Sequence, residues 1–575
     1  MSMLKTLALF SLFVISFASP VNVRQNSGPS VAIRNGTVVG SSSGGVDSFR
    51  GIPFAQPPVG NLRLRKPQPL VAGFSGGVFT TTGTPRSCPQ YSTETNTSSL
   101  SLTVAALFSL TPLGQAMTTP TGEDCLTLNV QRPSTATSSS RLPVVFWIFG
   151  GGFQAGSTSM YDGTNFITKS MSLGEPVIFV AVNYRVSAFG FLAGRELSAE
   201  GSTNLGLRDQ RQGLKWVQEN IAAFGGDPDR VTIWGESAGS ISVFDHTIIN
   251  GGDNRYNGRP LFRGAIMDSG SVVPALSATA AKAQNVFDSV ASAAGCGASA
   301  DKLACLRSVD YGTLLNAQRA VPSINSYRSL DLSYLPRPDP SDNFFPRSPE
   351  LAVAAGRFAK VPIIIGDQED EGTVFALSTG NITTNAQLNA YLASYFPGNP
   401  NALSDVSGLT ALYPNQPLLG QPAGSPFRTG AANNIYPQFK RLAALLGDIA
   451  FTLTRRVYLA QVASQVPSYS YLSTYLYGTP VVGTFHGTDV LVAFGIVDGG
   501  ASTPAQTTQT YFINFINNLD PNLPTTPAPL INWPRWSTAS PNLLNFGLFG
   551  NNILADDFRQ NAFNYLRARP SSFRI

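Results

Sequence analysis

Histidine is nearly absent from this sequence: 575 residues carry two, His246 and His486. With four cysteines beside them, no cluster stands at metal-ligand spacing, so neither a metal nor an organic cofactor is expected. Charge is scarce too. Only 13% of residues are charged, and the 39 basic and 34 acidic side chains lie scattered, without a Lys/Arg run or a basic stripe interleaved with aromatics. The resulting +5 reads as ordinary solvated surface, and nucleic acid is not an expected partner. The sequence also lacks a repeat at fixed period and a long low-complexity linker, which leaves one domain with large insertions as the simplest account. What it has in quantity is apolar side chains, 43% of the total with 10% aromatic, enough to bury a large core.

The apolar run Leu7–Phe17 follows Lys5 and precedes the small residue Ala18, the pattern of a secretory signal peptide over residues 1–18. It falls short of the roughly 20 residues that a membrane-spanning helix needs. Pro20 follows almost at once and no later segment is long enough, so no transmembrane segment is expected. The remainder, 19–575, is read as the folded domain. Secretion gives the cysteines meaning: in an oxidising compartment Cys88, Cys125, Cys296 and Cys305 allow three pairings, and their spacing favours Cys88 with Cys125 and Cys296 with Cys305. Loop-closure entropy assigns the longer loop about 4 kcal/mol and the shorter about 3 kcal/mol. Sequons at Asn35, Asn96 and Asn381 fit a glycosylated extracellular chain.

Short β-branched or aromatic runs at Pro143–Phe149, Val177–Val182, Val231–Gly235, Ala265–Met267, Pro362–Ile365 and Tyr469–Tyr477 predict buried strands. Asp209–Phe224 predicts a helix, with Leu214, Val217 and Ile221 on one face and Gly225 and Gly226 ending it. Strands alternating with helices imply a largely parallel sheet. In such sheets reactive groups gather beyond the carboxyl ends of the strands.

The motifs follow strands. Val231–Trp234 runs into Gly235-Glu-Ser-Ala-Gly239 and then a predicted helix from Ser240, the strand–turn–helix setting in which G-x-S-x-G presents a nucleophile. A serine nucleophile needs a base near neutral pH, and histidine is the usual one. His246, on the same predicted helix, lies roughly 13 Å from Ser237 by helical rise, and is read as a structural or surface residue. His486, in the glycine-bracketed loop Gly483–Asp489, is left as the base. The acid falls between serine and histidine in α/β-hydrolases, which points to the loop 367–372; spacing alone leaves Asp367, Glu369, Asp370 and Glu371 as candidates. Phe149-Gly-Gly-Gly-Phe153 directly follows an apolar strand and offers backbone N–H groups to an oxyanion, with the N–H of Ala238 as the other donor.

Together these motifs resemble the type-B carboxylesterase/cholinesterase family, and within it the extracellular fungal lipases. Further landmarks of the likeness are Phe49-Arg-Gly-Ile-Pro-Phe-Ala-Gln-Pro-Pro58, Glu123-Asp-Cys-Leu-Thr-Leu-Asn129, the stretch Asn204–Pro228, Asp370-Glu-Gly-Thr373 and Phe485-His-Gly-Thr-Asp489. The resemblance implies an α/β-hydrolase fold, a large mostly parallel central sheet flanked by helices. It implies Ser237, Glu371 and His486 as catalytic triad, Gly151, Gly152 and Ala238 as oxyanion donors, and the disulfide pairs favoured above. Many family esterases carry histidine where this chain has Phe149, whereas the fungal lipases tend not to.

The segment enclosed by Cys88 and Cys125 is long, and between Glu94 and Glu123 it has no charge at all. Leu100, Leu102, Val104, Leu107, Phe108, Leu110, Leu113 and Met117 crowd it. Its length resembles the fungal lipase flap, and a lid at about 88–125 is expected, covering the site in water and exposing its apolar face at a lipid surface. The expectation is a secreted serine ester hydrolase, a lipase cleaving long-chain acyl esters such as triacylglycerols at a lipid–water interface, as a monomer or weak dimer. A carboxylesterase or sterol esterase would carry the same motifs. A non-catalytic, cholinesterase-like adhesion module would typically lack the nucleophile.

Overall fold

The computed structural model describes residues 28–91, 96–112, 114, 119–419, 431–524 and 530–575. The expected signal segment 1–18 lies outside them, as do Leu113 and Met117 of the expected lid. The central sheet has eleven strands: β1 (Ser41–Ser43), β2 (Val46–Pro53), β3 (Thr127–Pro133), β4 (Leu142–Ile148), β5 (Ile178–Val182), β6 (Gly226–Glu236), β7 (Gly264–Asp268), β8 (Ile363–Gln368), β9 (Ser468–Ser473), β10 (Asn542–Gly547) and β11 (Gly550–Ala555). Across the sheet their order is β11-β10-β9-β8-β7-β6-β4-β5-β3-β2-β1. From β10 to β5 every neighbouring pair is parallel; the pairs at both margins are antiparallel. With helices packed on it, this is the α/β-hydrolase architecture that the motifs implied.

The six predicted strands are all present, and their unbroken apolar runs have a physical cause: Pro143–Ile148 and Ile178–Val182 are buried along their whole length, as strands covered on both faces must be. Several boundaries differ from the sequence reading: the strand predicted from Val231 begins at Gly226, the strand predicted to end at Ile365 runs to Gln368, and two further differences have a visible cause. The strand predicted to reach Tyr477 stops at Ser473, because the next residues close a turn in which the Tyr477 N–H donates to the Thr474 carbonyl. The helix predicted from Asp209 begins at Leu205, since its buried face already includes Leu205 and Leu207 and Asn204, at φ 54°, makes the sharp entry. Gly225, at φ 90°, stops the helical stretch as expected.

Register aligns the strand ends that matter. Ile148 lies opposite Gly235, Glu236 opposite Asp268, and Asp268 opposite Gly366. The loops leaving β4, β6, β7 and β8 therefore emerge side by side at one edge of the sheet.

Cys88 is bonded to Cys125 and Cys296 to Cys305. The first bond clasps the base of the flap segment. Replacing Cys88 and Cys125 together by serine is expected to cost about 4 kcal/mol and the other pair about 3 kcal/mol, by loop closure. Denaturant titration of both double variants checks this, and the reverse order would contradict it.

Of the sequon residues, Asn96 and Asn381 are exposed. Asn35 is not: it is 7% exposed, and its amide nitrogen donates to the carbonyls of Leu70 (3.1 Å) and Ala72 (2.8 Å). An amide carrying a sugar keeps one N–H and could make only one of these two bonds. Among the described residues no helix is long and apolar enough to cross a membrane.

Candidate active site

Ser237 stands between β6 and the helix Ala238–Ile248 at φ 55°, ψ −124°. Such a conformation costs a non-glycine residue about 1–3 kcal/mol, and two hydrogen bonds hold it: Ser237 N–H to Asp268 O and Ile241 N–H to Ser237 O, both 2.9 Å. The flanking glycines are required by contact. A Cβ on Gly235 would stand 2.5 Å from the Gly239 carbonyl, and one on Gly239 would stand 2.0 Å from the Ile148 oxygen. The elbow closes only because both positions have no side chain.

His486 arrives on the loop after β9. Its Nε2 lies 2.7 Å from Ser237 Oγ, and its Nδ1 lies 2.5 Å from Glu371 Oε2. With Nδ1–H donating to the carboxylate, Nε2 is left to accept from the serine hydroxyl. The other oxygen of Glu371 accepts the Gln368 N–H at 2.7 Å, which fixes the carboxylate's plane. Phe375 and Phe451 flank the imidazole, with centroids 5.1 and 4.6 Å away.

Of the four acids that spacing left open, Glu371 reaches His486, and Asp367 and Asp370 do other work. Asp367 accepts from Arg455 at 2.6 Å. Asp370 clamps the histidine loop to the acid loop, its N–H donating to Thr484 O (2.9 Å) and its Oδ2 accepting the Thr484 N–H (2.8 Å). His246 is buried with its Nε2 3.0 Å from Gln210 Oε1, a structural residue rather than a surface one. Burial, reinforced by Arg211, holds its pKa down at about 3, so it stays neutral.

The glycine loop after β4 lies against the nucleophile: a Cβ on Gly150 would be 2.9 Å from Ser237 Cβ. Gly151 and Gly152 have φ of 102° and 63°. Their N–H groups, and that of Ala238 at the start of the helix, donate to no acceptor among the described residues. The structure thus brings three free donors to the side of Ser237.

A group of buried acids surrounds this centre. Glu236 has one oxygen 3.4 Å from His486 Nε2, and burial, then its acidic neighbours Asp489, Glu371 and Asp268, raises its pKa well above the usual carboxylate range. Asp489 is pushed up to about 7 by burial and by Glu371. Asp367 also stands at about 7, its burial outweighing Arg455. The folded protein then holds protons that the unfolded chain has already released between pH ~4 and ~7. Stability should fall as pH rises through that window, by at most about 1.4 kcal/mol per pH unit for each such group. Urea midpoints at pH 5 and pH 8 check this: the first should be higher, Asp489→Asn should flatten the difference, and the opposite trend would contradict the assignment.

Ser237 is only 5% exposed and His486 is fully buried. The segment 96–112 packs beside the histidine loop. Its helix Leu102–Phe108 turns Val104 and Phe108 inward, Phe108 standing 6.1 Å from Phe485. Thr111 and Pro112 lie over Gly487, where a Cβ would touch both at 3.4 Å. Leu102 points the other way, 92% exposed, and Leu110 is exposed as well.

A small apolar cavity lies nearby, lined by Ile241, Val273, Leu330, Phe396, Ile449 and Phe451 among others. Two of its lining residues belong to the surroundings of the site: Ile241 lies one helical turn past Ser237, and Phe451 packs on the imidazole. Ile449, Ala450 and Phe451 reach it from a π-helical turn, Asp448–Thr452, inserted between two α-helices. Such turns often mark functional sites. Sequence reasoning missed this cavity entirely, because its lining comes from segments hundreds of residues apart and a π turn has no local signature.

The family model of the carboxylesterase family matches residues 27–565. This chain belongs to the carboxylesterase family. It is 49% identical to secreted lipase 1 of Botryotinia fuckeliana, over the whole of both chains. It is 47% identical to a secreted triacylglycerol lipase of Gibberella zeae, covering 97% of this chain and 93% of that one. Among solved structures it is similar to Aspergillus niger EstA, with TM-score 0.77 and 27% identity over 96% of this chain and all of that one.

Proposed function

We propose that the protein is a secreted lipase that hydrolyses long-chain acyl esters, triacylglycerols among them, through an acyl-enzyme on Ser237. The observation that carries this reading is the hydrocarbon lining of the cavity that approaches the site through Ile241 and Phe451, suited to an acyl chain rather than a polar acid. The names of the relatives from Botryotinia and Gibberella support it.

Ser237 Oγ attacks the ester carbonyl while its proton passes to His486 Nε2. Glu371 holds the imidazole in the tautomer that can take the proton and balances the charge that forms. The N–H groups of Gly151, Gly152 and Ala238 receive the oxyanion. His486 then protonates the departing alcohol, and water activated by the same nitrogen releases the fatty acid. Residues 88–125 act as a lid on the single domain 19–575: in water the segment rests on the histidine loop through Phe108, Thr111 and Pro112, and at a lipid surface it lifts.

Hydrolysis of an ester series from short to long acyl chains, each below and above its solubility limit, tests the reading against a Ser237→Ala blank. A steep rise for long chains once an interface forms is the expected result. Smooth saturation on short soluble esters, without that rise, would make the protein a carboxylesterase instead.

A further inference from the structure

The elbow helix Ala238–Ile248 ends well away from the triad, its eleven residues placing Ile248 roughly 16 Å from Ser237. There the chain forms a pocket of about 260 Å³, just under the ~300–1,000 Å³ of ordinary ligand sites. Ile248, Phe345 and Ala352, all buried, supply an apolar wall. Main-chain bonds fix the frame: Asn250 N–H donates to Phe344 O at 2.9 Å, Ala359 N–H to Thr247 O at 2.7 Å, and Arg357 N–H to Ala352 O at 2.9 Å.

The polar side chains on this frame are held by nothing. Arg347, Arg357, Asn250 and Asn343 line the pocket and are exposed, and none of their side chains makes a hydrogen bond or an ion pair among the described residues. No acid lines the pocket with them. The acids nearest in sequence are engaged elsewhere: Asp342 pairs with Arg208, Glu350 with Arg574, and Asp253 accepts the Arg255 N–H. Asp245 is enclosed in the elbow helix, and burial raises its pKa well above the usual carboxylate range, which favours its neutral form. Two guanidinium charges therefore share one hollow without a counter-charge.

Guanidinium groups recognise phosphate and carboxylate oxygens through paired N–H bonds. Two cations without an acid match a dianion, the two carboxamides add donors, and the apolar wall takes a hydrocarbon group. We propose that this pocket binds a phosphomonoester carrying a small apolar group, with the phosphate on Arg347 and Arg357 and the apolar group against Ile248 and Phe345. The site lies outside the catalytic centre and does not depend on the lipase reading. The carbonyl end of the elbow helix disfavours an anion, so the two guanidinium groups carry the binding.

Isothermal titration with phenyl phosphate tests the proposal. One saturable site per chain is expected, weakened about tenfold or more by Arg347→Ala or Arg357→Ala alone and lost when both are replaced. Both side chains are exposed, so the variants should retain wild-type ester hydrolysis, which shows that they are folded. Inorganic phosphate should bind more weakly than phenyl phosphate, and phenol not at all. Phosphatidylcholine vesicles with and without phosphatidic acid separate two sources of the group: recruitment by phosphatidic acid that the double variant abolishes assigns the site to a lipid headgroup, and any other vesicle result beside phenyl phosphate binding assigns it to a soluble ester. No binding of phenyl phosphate, binding that survives in the double variant, or inorganic phosphate binding as tightly overturns the proposal.

Discussion

Replacing Ser237 by alanine is expected to lower kcat by about 10⁵- to 10⁶-fold, the loss typical of removing the nucleophile from a unit whose members act together. The reason is geometric: the hydroxyl is the group 2.7 Å from His486 Nε2, so without it the base has no proton to take. The loss should not be total, because the free N–H groups of Gly151, Gly152 and Ala238 remain and such donors with binding alone leave about 10³- to 10⁴-fold over water. The fold should survive. The bonds that hold the φ 55° turn are made by the backbone of residue 237 with Asp268 and Ile241, and alanine keeps them. Unchanged melting with activity at the residual level checks the prediction; activity within tenfold of wild type would refute it.

Glu371→Gln should cost about 10⁴-fold in kcat with little change in KM. The substitution keeps the shape and the acceptor for the Gln368 N–H, yet it can turn an NH₂ toward His486 Nδ1. The ring would then carry its proton on Nε2, facing Ser237 as a donor and unable to act as base. Loss of the negative charge also removes the partner of the imidazolium formed in each half-reaction. Glu371→Asp retains charge but, with a shorter side chain, lengthens the 2.5 Å contact, and should recover part of the rate. A split in which Gln lowers kcat far more than Asp marks a role in orientation and charge; equal losses would mark a role in packing alone.

Local patterns made part of this molecule legible. The elbow could be read because strand, tight turn and helix are adjacent in sequence, and the contacts of Gly235 and Gly239 explain why both must be glycine. The buried strands announced themselves as apolar runs for the same reason that they are covered on both faces. Glu371 could not be separated from Asp367, Glu369 and Asp370 by spacing, since what separates them is a partner 115 residues away; only family likeness singled it out. The burial of Asn35 was not legible, because a sequon carries no information on burial. The apolar cavity was invisible: Ile241, Phe451 and Phe573 meet only when the elbow helix, the π turn and residues 573–575 are packed together.

The chain's central chemistry is best tested by treating the active protein with a long-chain alkyl p-nitrophenyl phosphonate and locating the adduct by peptide mass spectrometry. The account predicts one phosphonyl group per chain, on Ser237, with activity lost in proportion to labelling. Long-chain ester hydrolysis that persists when Ser237 is fully modified, or inactivation with the label on another residue, would contradict it.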